Sequence, residues 1–123
     1  MADQAPGDAH GALGKDYYMI ITVPDAPPEE IAKMLPTHLE RQVELEKAGI
    51  LVMAGPFFEP GSEKPDGGMI LVRAKSFEEA DEIAKGDPFH RAGLRKYTIR
   101  RWMVNEGSYT LTVTYSDQKM SIV

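Results

Sequence analysis

The chain has 123 residues and a mass of 13.6 kDa, which is the size of one ordinary domain. Its 14 Lys and Arg against 19 Asp and Glu give a formal net charge of −5, and an acidic chain argues against binding to a nucleic-acid backbone. The absence of cysteine excludes disulfides, thiolate metal sites and a cysteine nucleophile, and it fits a reducing compartment.

Residues 1–15 have almost nothing to bury, so the sequence predicts a disordered tail there and a single domain over residues 16–123. The tail lacks the apolar segment of a secretory signal. No run of about 18 apolar residues occurs, so we expect no membrane span and a cytoplasmic protein.

The first predicted strand is the β-branched and aromatic run Tyr17–Val23, which is apolar on both faces and therefore expected to be covered on both sides. A helix follows from Pro27–Pro28 to about Ala48 and ends at Gly49. Because an interior proline removes a backbone hydrogen bond, Pro36 is expected to split this helix into a short piece and a longer one.

Ile50–Phe58 is predicted as a second strand that breaks at Gly55–Pro56. A loop rich in turn-forming residues separates it from a third strand, Met69–Ala74. Ser76 is expected to cap a second helix, with Glu79 completing a capping box.

Gly86 should end that helix, and Asp87–Gly93 is predicted to form a short turn or a single helical turn. Leu94–Val104 is the fourth strand, and Asn105–Gly107 resembles a hairpin turn. Tyr109–Tyr115 then alternates as a half-exposed strand. The order predicts an α+β protein with a ferredoxin-like βαββαβ core and an extra C-terminal strand.

Two helices can cover only one face of such a sheet. The other face stays apolar in the first two strands, and an uncovered apolar face is a predicted partner surface. The sequence therefore predicts a homodimer packed sheet to sheet.

His38 is the most informative residue, because it falls with Gln42 inside the apolar sector of the first helix. One interpretation is a structural histidine satisfied by a hydrogen bond. The other is a proton-transfer group that lines a cleft between helix and sheet, which suits a side chain that titrates near neutrality.

Asp87 has a similar pair of interpretations. It can cap the next turn, or it can hold an imidazole in one tautomer, as carboxylates do in proton-transfer sites. Asp25, after Pro24, is a second choice for a partner of His38, with a turn role favoured. We expect His90 and Arg91 to face solvent.

The sequence lacks the motifs of several common catalytic and cofactor-binding sites. No phosphate-binding loop, GxGxxG, HEXXH or GxSxG motif occurs, and the three histidines show no metal-ligand spacing. We therefore expect neither a cofactor nor a metal. Of Arg100 and Arg101, which alternate along a strand, one is expected to form an internal or interface ion pair.

Three segments in order carry a family resemblance: Pro36–Leu39 (PTHL), Gly49–Pro56 (GILVMAGP) and Asp87–Leu94 (DPFHRAGL). Together they resemble the P-x-H-L, G-x-L-x-x-A-G-P and D-P-[FY] segments of the YCII-related (YciI-like) family, over roughly residues 17–103. The chain departs from the pattern at Leu35, where the family often has an arginine.

The resemblance implies a ferredoxin-like fold that dimerises into an α+β barrel, and a site in which His38 and Asp87 cooperate. A characterised relative is similar to a dehydrochlorinase of chlorinated hydroxyquinones, and the wider superfamily includes muconolactone isomerase.

Two functions follow as hypotheses. In the first, His38 is the general acid or base and Asp87 orients it, in a lyase-like elimination or an isomerisation of a small oxygenated cyclic or aromatic metabolite. In the second, the same cleft binds a small ligand in a non-catalytic homodimer. The sequence alone does not decide whether the protein is an enzyme, and a purely structural dimer stays open as a third alternative.

Overall fold

The computed structural model describes residues 13–122, so most of the predicted N-terminal tail lies outside the described residues. The described elements are, in chain order, β1 (Lys15–Pro24), α1 (Pro28–Lys47), β2 (Leu51–Phe57), β3 (Gly67–Val72), α2 (Phe77–Lys85), α3 (Pro88–Arg91), β4 (Arg95–Val104), β5 (Leu111–Thr114) and β6 (Lys119–Ile122).

Four strands form one sheet in the order β2-β3-β1-β4. β3 pairs antiparallel with β1 on one side, as in Ile20 opposite Ile70, and with β2 on the other, as in Ala54 opposite Ile70. This strand order, with helices after the first and third strands, is the predicted ferredoxin-like α+β fold.

The core lies where α2 packs on the sheet. Because successive strand residues point to opposite faces, β1 and β3 each direct every second side chain to this core. Its buried members are Ile20, Ile70, Val72, Ala80 and Ala84.

The opposite face of the sheet carries apolar side chains as well. Met19 pairs with Leu71, Ile21 pairs with Met69, and Met53 of β2 also pairs with Leu71. Met53 is 66% exposed. We call this set the open face of the sheet.

Pro36 does not split the first helix. α1 is one element of 20 residues with Pro36 inside it, so the predicted break was wrong. Proline removes a single hydrogen bond, to the carbonyl of Ala32, and the remaining bonds of a helix this long keep the two halves continuous.

The predicted break at Gly55–Pro56 was also wrong. β2 continues through both residues, with Pro56 opposite Gly68, and its irregularity lies earlier, between Leu51 and Met53. β2 is an edge strand, and an edge position tolerates proline because the missing N–H can face away from the neighbouring strand.

Local capping chemistry at the second helix was predicted correctly. The hydroxyl of Ser76 accepts from the N–H of Glu79, and Gly86 is the C-cap of α2. The Glu79 side chain accepts from the N–H of Lys75 rather than from that of Ser76, so the capping box is displaced by one residue.

Residues Asp16–Trp102 form one compact unit, and the chain from Met103 onward belongs to a second. In that second unit β5 pairs with β6, as in Leu111 opposite Ile122. The sequence prediction missed β6 and expected a half-exposed strand before it. All four residues of β5 are exposed instead, because a two-stranded hairpin has no second layer of its own to cover either face.

Within residues 13–122, no helix has the length and apolar character needed to cross a membrane.

Candidate active site

A cleft of about 990 Å³ lies between α1 and the sheet. No residue of α1 is buried, and Leu35 and Leu39 remain 44% and 52% exposed, because they face this open space rather than a closed core. The apolar wall on α1 consists of Ile31, Leu35, Leu39 and Val43. Residues of β2 and β3 line the other side.

His38 projects from this wall of α1 and meets Asp87, the residue before α3. Nδ1 of His38 lies 2.9 Å from Oδ2 and 3.1 Å from Oδ1 of Asp87. Both side chains are largely buried, at 14% and 6% relative exposure, and both line the cleft. The structure thus brings together the two residues that the sequence singled out.

Asp87 has both of the roles considered for it. Its Oδ1 accepts from the N–H of Phe89 at 2.9 Å, so it caps α3 while it also contacts His38. Burial raises the pKa of Asp87, but the hydrogen bond and charge of His38 and the N–H of Phe89 outweigh it and hold the pKa below its usual value.

The charge state of Asp87 determines the tautomer of His38. An ionised carboxylate can only accept hydrogen bonds, so Nδ1 of His38 carries the hydrogen and donates it. Nε2 is then the basic nitrogen of the neutral ring, and it bonds to no residue between 13 and 122.

The ring of Phe89 holds the imidazole from one side. Its centroid lies 4.5 Å from that of His38, with the two planes tilted by 31°, and Phe89 itself is only 5% exposed. Packing and the Asp87 contact together fix the orientation of His38.

Asp25, the second-choice partner, is exposed and lies outside the cleft lining. Its backbone N–H donates to the carbonyl of Leu94, which fits the turn role. Gln42 does line the cleft, one helical turn after His38.

His90 does not face solvent as expected. Its Nδ1 lies 2.7 Å from the carbonyl oxygen of Ala84 and its Nε2 lies 2.8 Å from Oγ1 of Thr22, and its ring packs on Tyr97. The helical turn α3 directs the side chain inward because its Asp87 cap and buried Phe89 anchor that turn to the core. Arg91 is exposed, as predicted.

Burial lowers the pKa of His90, against the opposing effects of the Ala84 carbonyl and the Asp87 charge. The neutral ring then donates from Nδ1 to Ala84 and accepts at Nε2 from the Thr22 hydroxyl.

Arg95 and Thr22 also line the cleft, and the sequence analysis missed both. Nε and Nη2 of Arg95 donate to Oγ1 and to the carbonyl oxygen of Thr22, each at 3.1 Å. The sequence did offer one signal, since Thr22 is a polar residue on the same face of β1 as Ile20. In the structure this threonine is buried, at 6% exposure.

Arg100 and Arg101, one of which was expected to form an internal or interface ion pair, both lie at the surface. Arg101 forms an ion pair with Asp16 at 3.1 Å, but both side chains are about half exposed, so the pair is at the surface rather than internal. Arg100 is exposed.

In the part of the chain from residue 13 to residue 122, no group of three or more His, Asp or Glu side chains is arranged to hold a metal ion.

Comparison with known proteins adds two findings. The model of the YCII-related domain matches residues 17–103. The solved structure of a 5-chloro-2-hydroxyhydroquinone dehydrochlorinase from Burkholderia phenoliruptrix AC1100, in complex with 2,5-dihydroxybenzoquinone, superposes with a TM-score of 0.56. The two sequences are 23% identical, and the aligned region covers 69% of this chain and 92% of the dehydrochlorinase chain. No curated protein matches significantly.

Proposed function

This chain belongs to the YCII-related family, and on that premise we propose that it is a small-molecule enzyme that uses His38 for proton transfer. The reaction class is elimination or isomerisation, and the substrate is a small oxygenated cyclic or aromatic molecule. His38 is the general base or acid, and Asp87 orients it.

The direction of the hydrogen bond between His38 and Asp87 carries this proposal. Nδ1 of His38 is committed to the Asp87 carboxylate at 2.9 Å, and Nε2 is available to a ligand. A general base needs a basic atom within hydrogen-bond reach of the proton it removes, and a fixed orientation. Both conditions are supported by the contacts of His38.

The cleft supports a ligand of the proposed size. Its volume of about 990 Å³ lies at the upper end of the range for small-molecule sites, and its apolar walls with few polar groups are typical of such sites. A six-membered ring can lie against Leu35 and Leu39 while one edge faces His38.

The proposed elimination is balanced without a redox partner. Nε2 of His38 takes a proton from carbon, the electron pair of that C–H bond forms a new double bond, and the leaving group on the adjacent carbon departs with its bonding pair. The imidazolium then returns its proton to solvent. In an isomerisation, His38 instead returns the proton to a different carbon.

The dehydrochlorinase noted above gives independent support, since it is a lyase-type enzyme whose structure contains a hydroxylated quinone. At 23% identity its substrate is a guide to which compounds to test first, and it assigns no residue role here.

We propose a homodimer as the working form. The open face (Met19, Ile21, Met53, Met69 and Leu71) is apolar on three adjacent strands. Met53 is 66% exposed, Leu71 is buried at 2%, and Met53 and Met69 also line the rim of the cleft. Covering this face with a second copy removes apolar surface from water, which is the main driving force for association.

The alternative is a non-catalytic homodimer that binds a small ligand in the same cleft. The open apolar wall of α1 favours ligand binding whether or not turnover occurs, so only turnover separates the two functions.

The test begins with a thermal-shift screen of oxygenated cyclic and aromatic compounds, including 5-chloro-2-hydroxyhydroquinone, on the wild type. A ligand at 100 times its Kd stabilises the folded state by about 2.7 kcal/mol. Ligands that bind are then incubated with wild type, His38→Gln and the control Lys33→Gln, and products are followed by NMR and chloride release.

Turnover that His38→Gln loses and Lys33→Gln keeps supports the proposal, since Lys33 is an exposed residue of the same helix. Turnover that survives in His38→Gln contradicts it. Binding without turnover of any ligand supports the alternative.

A further inference from the structure

Arg95 brings a positive charge to the wall of the cleft that also carries His38. It is the first residue of β4, and it is held in place by its two hydrogen bonds to Thr22. Its Cζ lies 5.5 Å from the centroid of the Phe89 ring, close enough for a cation–π interaction.

This guanidinium lacks an ion-pair partner in the described chain. The ion pairs found between residues 13 and 122 do not include Arg95, and its Nη1 makes no hydrogen bond to a residue in that range. Burial lowers the pKa of Arg95, and the negative charge of Asp87 only partly offsets this. Because the ordinary pKa of a guanidinium lies far above neutrality, the group still keeps its charge at neutral pH.

A half-buried cation without a directly paired carboxylate is costly unless another group supplies negative charge. Thr22 contributes only a hydroxyl and a carbonyl. The guanidinium presents its donors in a planar fork that matches a carboxylate or a pair of adjacent ring oxygens. Its open donors and its charge therefore fit an anionic ligand.

The position of Arg95 relative to the dyad favours one ligand that reaches both. Phe89 stacks on His38 at 4.5 Å and also lies under the Arg95 guanidinium. The two polar groups therefore flank one aromatic side chain in one cleft, and a small ring can present an anionic oxygen to Arg95 and a carbon to Nε2 of His38.

We propose that Arg95 is the anion-binding residue of the cleft, and that the ligands this protein selects are oxygenated rings with a negative charge, either a carboxylate or an ionised enol or phenol oxygen. This inference rests on the proposed function and specifies its substrate class. When His38 removes a proton from a carbon next to such an oxygen, electron density moves onto that oxygen, and Arg95 stabilises it.

Thr22 and His90 are the positioning residues of this anion site. Nε of Arg95 donates to the Thr22 hydroxyl, that hydroxyl donates to Nε2 of His90, and Nδ1 of His90 donates to the carbonyl of Ala84. Each hydrogen of this relay has one acceptor, which holds Arg95 toward the cleft.

The experiment compares a charged and a neutral probe of the same shape, 2,5-dihydroxybenzoate and 2,5-dihydroxybenzamide, by isothermal titration calorimetry at pH 7.5. We expect the wild type to bind the anion about tenfold more tightly than the amide. Arg95→Gln should bind the two probes equally, and Arg95→Lys should keep part of the preference.

Two control variants remove a charge elsewhere. Arg91→Gln changes an exposed residue outside the cleft lining, and Lys64→Gln changes the other cationic residue of the lining, which is exposed on a loop. Both should keep the wild-type preference. Arg95→Lys keeps the test valid if Arg95→Gln fails to fold, because a lysine that binds with the full preference contradicts the role of the guanidinium fork.

The inference is overturned if the wild type shows no preference for the anion, if it does not bind the anion at millimolar concentration, or if Lys64→Gln removes the preference while Arg95→Gln keeps it. His38→Gln separates the two proposals. If His38→Gln keeps the anion preference and no variant shows turnover, the anion site is supported and the catalytic proposal is contradicted. If turnover occurs but no variant prefers the anion, the catalytic proposal is supported and the anion site is contradicted.

Discussion

His38 and Asp87 stand 49 positions apart in the chain, yet Nδ1 of the imidazole lies 2.9 Å from Oδ2 of the carboxylate. The same carboxylate caps α3 through the N–H of Phe89. One side chain thus fixes both a helical turn and the tautomer of a candidate base, and substitutions can separate the two roles.

Asp87→Asn is expected to keep the cap and lose the dyad. Asparagine is as good an N-cap as aspartate, but it no longer provides a charged acceptor for Nδ1 of His38. We expect turnover to fall by about 100-fold or more, while the free energy of unfolding falls by only about 1 kcal/mol. Turnover assays and urea denaturation measure the two effects.

Asp87→Ala is the matched comparison, because it removes both contacts. We expect it to cost about 1–2 kcal/mol more than Asp87→Asn, which is the usual contribution of an N-cap. Wild-type turnover in Asp87→Asn would contradict the dyad, and equal destabilisation by the two substitutions would contradict the separate capping role.

Acid is expected to destabilise the protein in two steps. Burial lowers the pKa of His90 from its ordinary 6.5, so the unfolded chain binds more protons than the folded one once the pH falls below that value. Asp87, whose pKa is held below 3.8, contributes stability above its ordinary pKa that is lost as the pH falls further, through its folded pKa. Both effects have the same sign.

Urea denaturation of wild type and His90→Gln between about pH 7 and pH 5 tests the first step. The free energy of unfolding of the wild type should fall across this range, and the fall should be smaller in His90→Gln because the group that takes up the proton on unfolding is absent. Parallel pH profiles for the two proteins would show that His90 is not responsible.

Met53→Glu should dissociate the proposed homodimer. Met53 is 66% exposed on the open face, so a charge there leaves the fold intact but must lose its water in a sheet-to-sheet interface. Light scattering should give twice 13.6 kDa for the wild type and 13.6 kDa for the variant. Phe77→Glu changes another exposed apolar residue, on α2 at 51% exposure, and this variant should stay dimeric. A monomeric wild type would contradict the dimer.

Gly67→Ala is expected to destabilise the cleft wall. A Cβ at Gly67 would lie 2.5 Å from Cε1 of Phe57 and 3.0 Å from the carbonyl oxygen of Thr22, and overpacking of this kind costs about 1–3 kcal/mol. Urea denaturation measures the loss. Phe57→Leu removes the ring atoms that clash, so in a double-mutant cycle it should recover part of the cost. A strictly additive double variant would rule out the Phe57 contact as the cause.

The sequence determined features that depend on near neighbours. The hydroxyl of Ser76, three residues before Glu79, caps α2 because both groups lie in one helical turn. Strand alternation in β1 and the order of the elements were enough to predict the ferredoxin-like sheet. The pairing of His38 with Asp87 needed more, and it was predicted from a polar residue in an apolar helical sector together with a family pattern.

The tertiary structure decided those features that depend on the surroundings of a residue and not on its neighbours in the sequence. Pro56 stays in β2 because that strand is an edge, and α1 passes through Pro36 because a single lost hydrogen bond is small against the rest of a long helix. His90 turns inward because both of its ring nitrogens find hydrogen-bond partners there. One partner is Thr22, which is distant in the chain, and the other is the carbonyl of Ala84 in the preceding helix.

The same reason explains why Arg95 was missed. A strand-end arginine is usually solvated, and nothing in the residues around it shows that Thr22, 73 positions earlier, accepts from its Nε. The sequence by itself therefore determined the elements of the four-stranded sheet and its helices and their order, because helical and strand periodicity are local, and it indicated the candidate base through the position of His38 on α1 together with the family pattern. Only the tertiary structure decided which charges share the cleft with His38, because burial and hydrogen-bond partners arise when distant segments pack together.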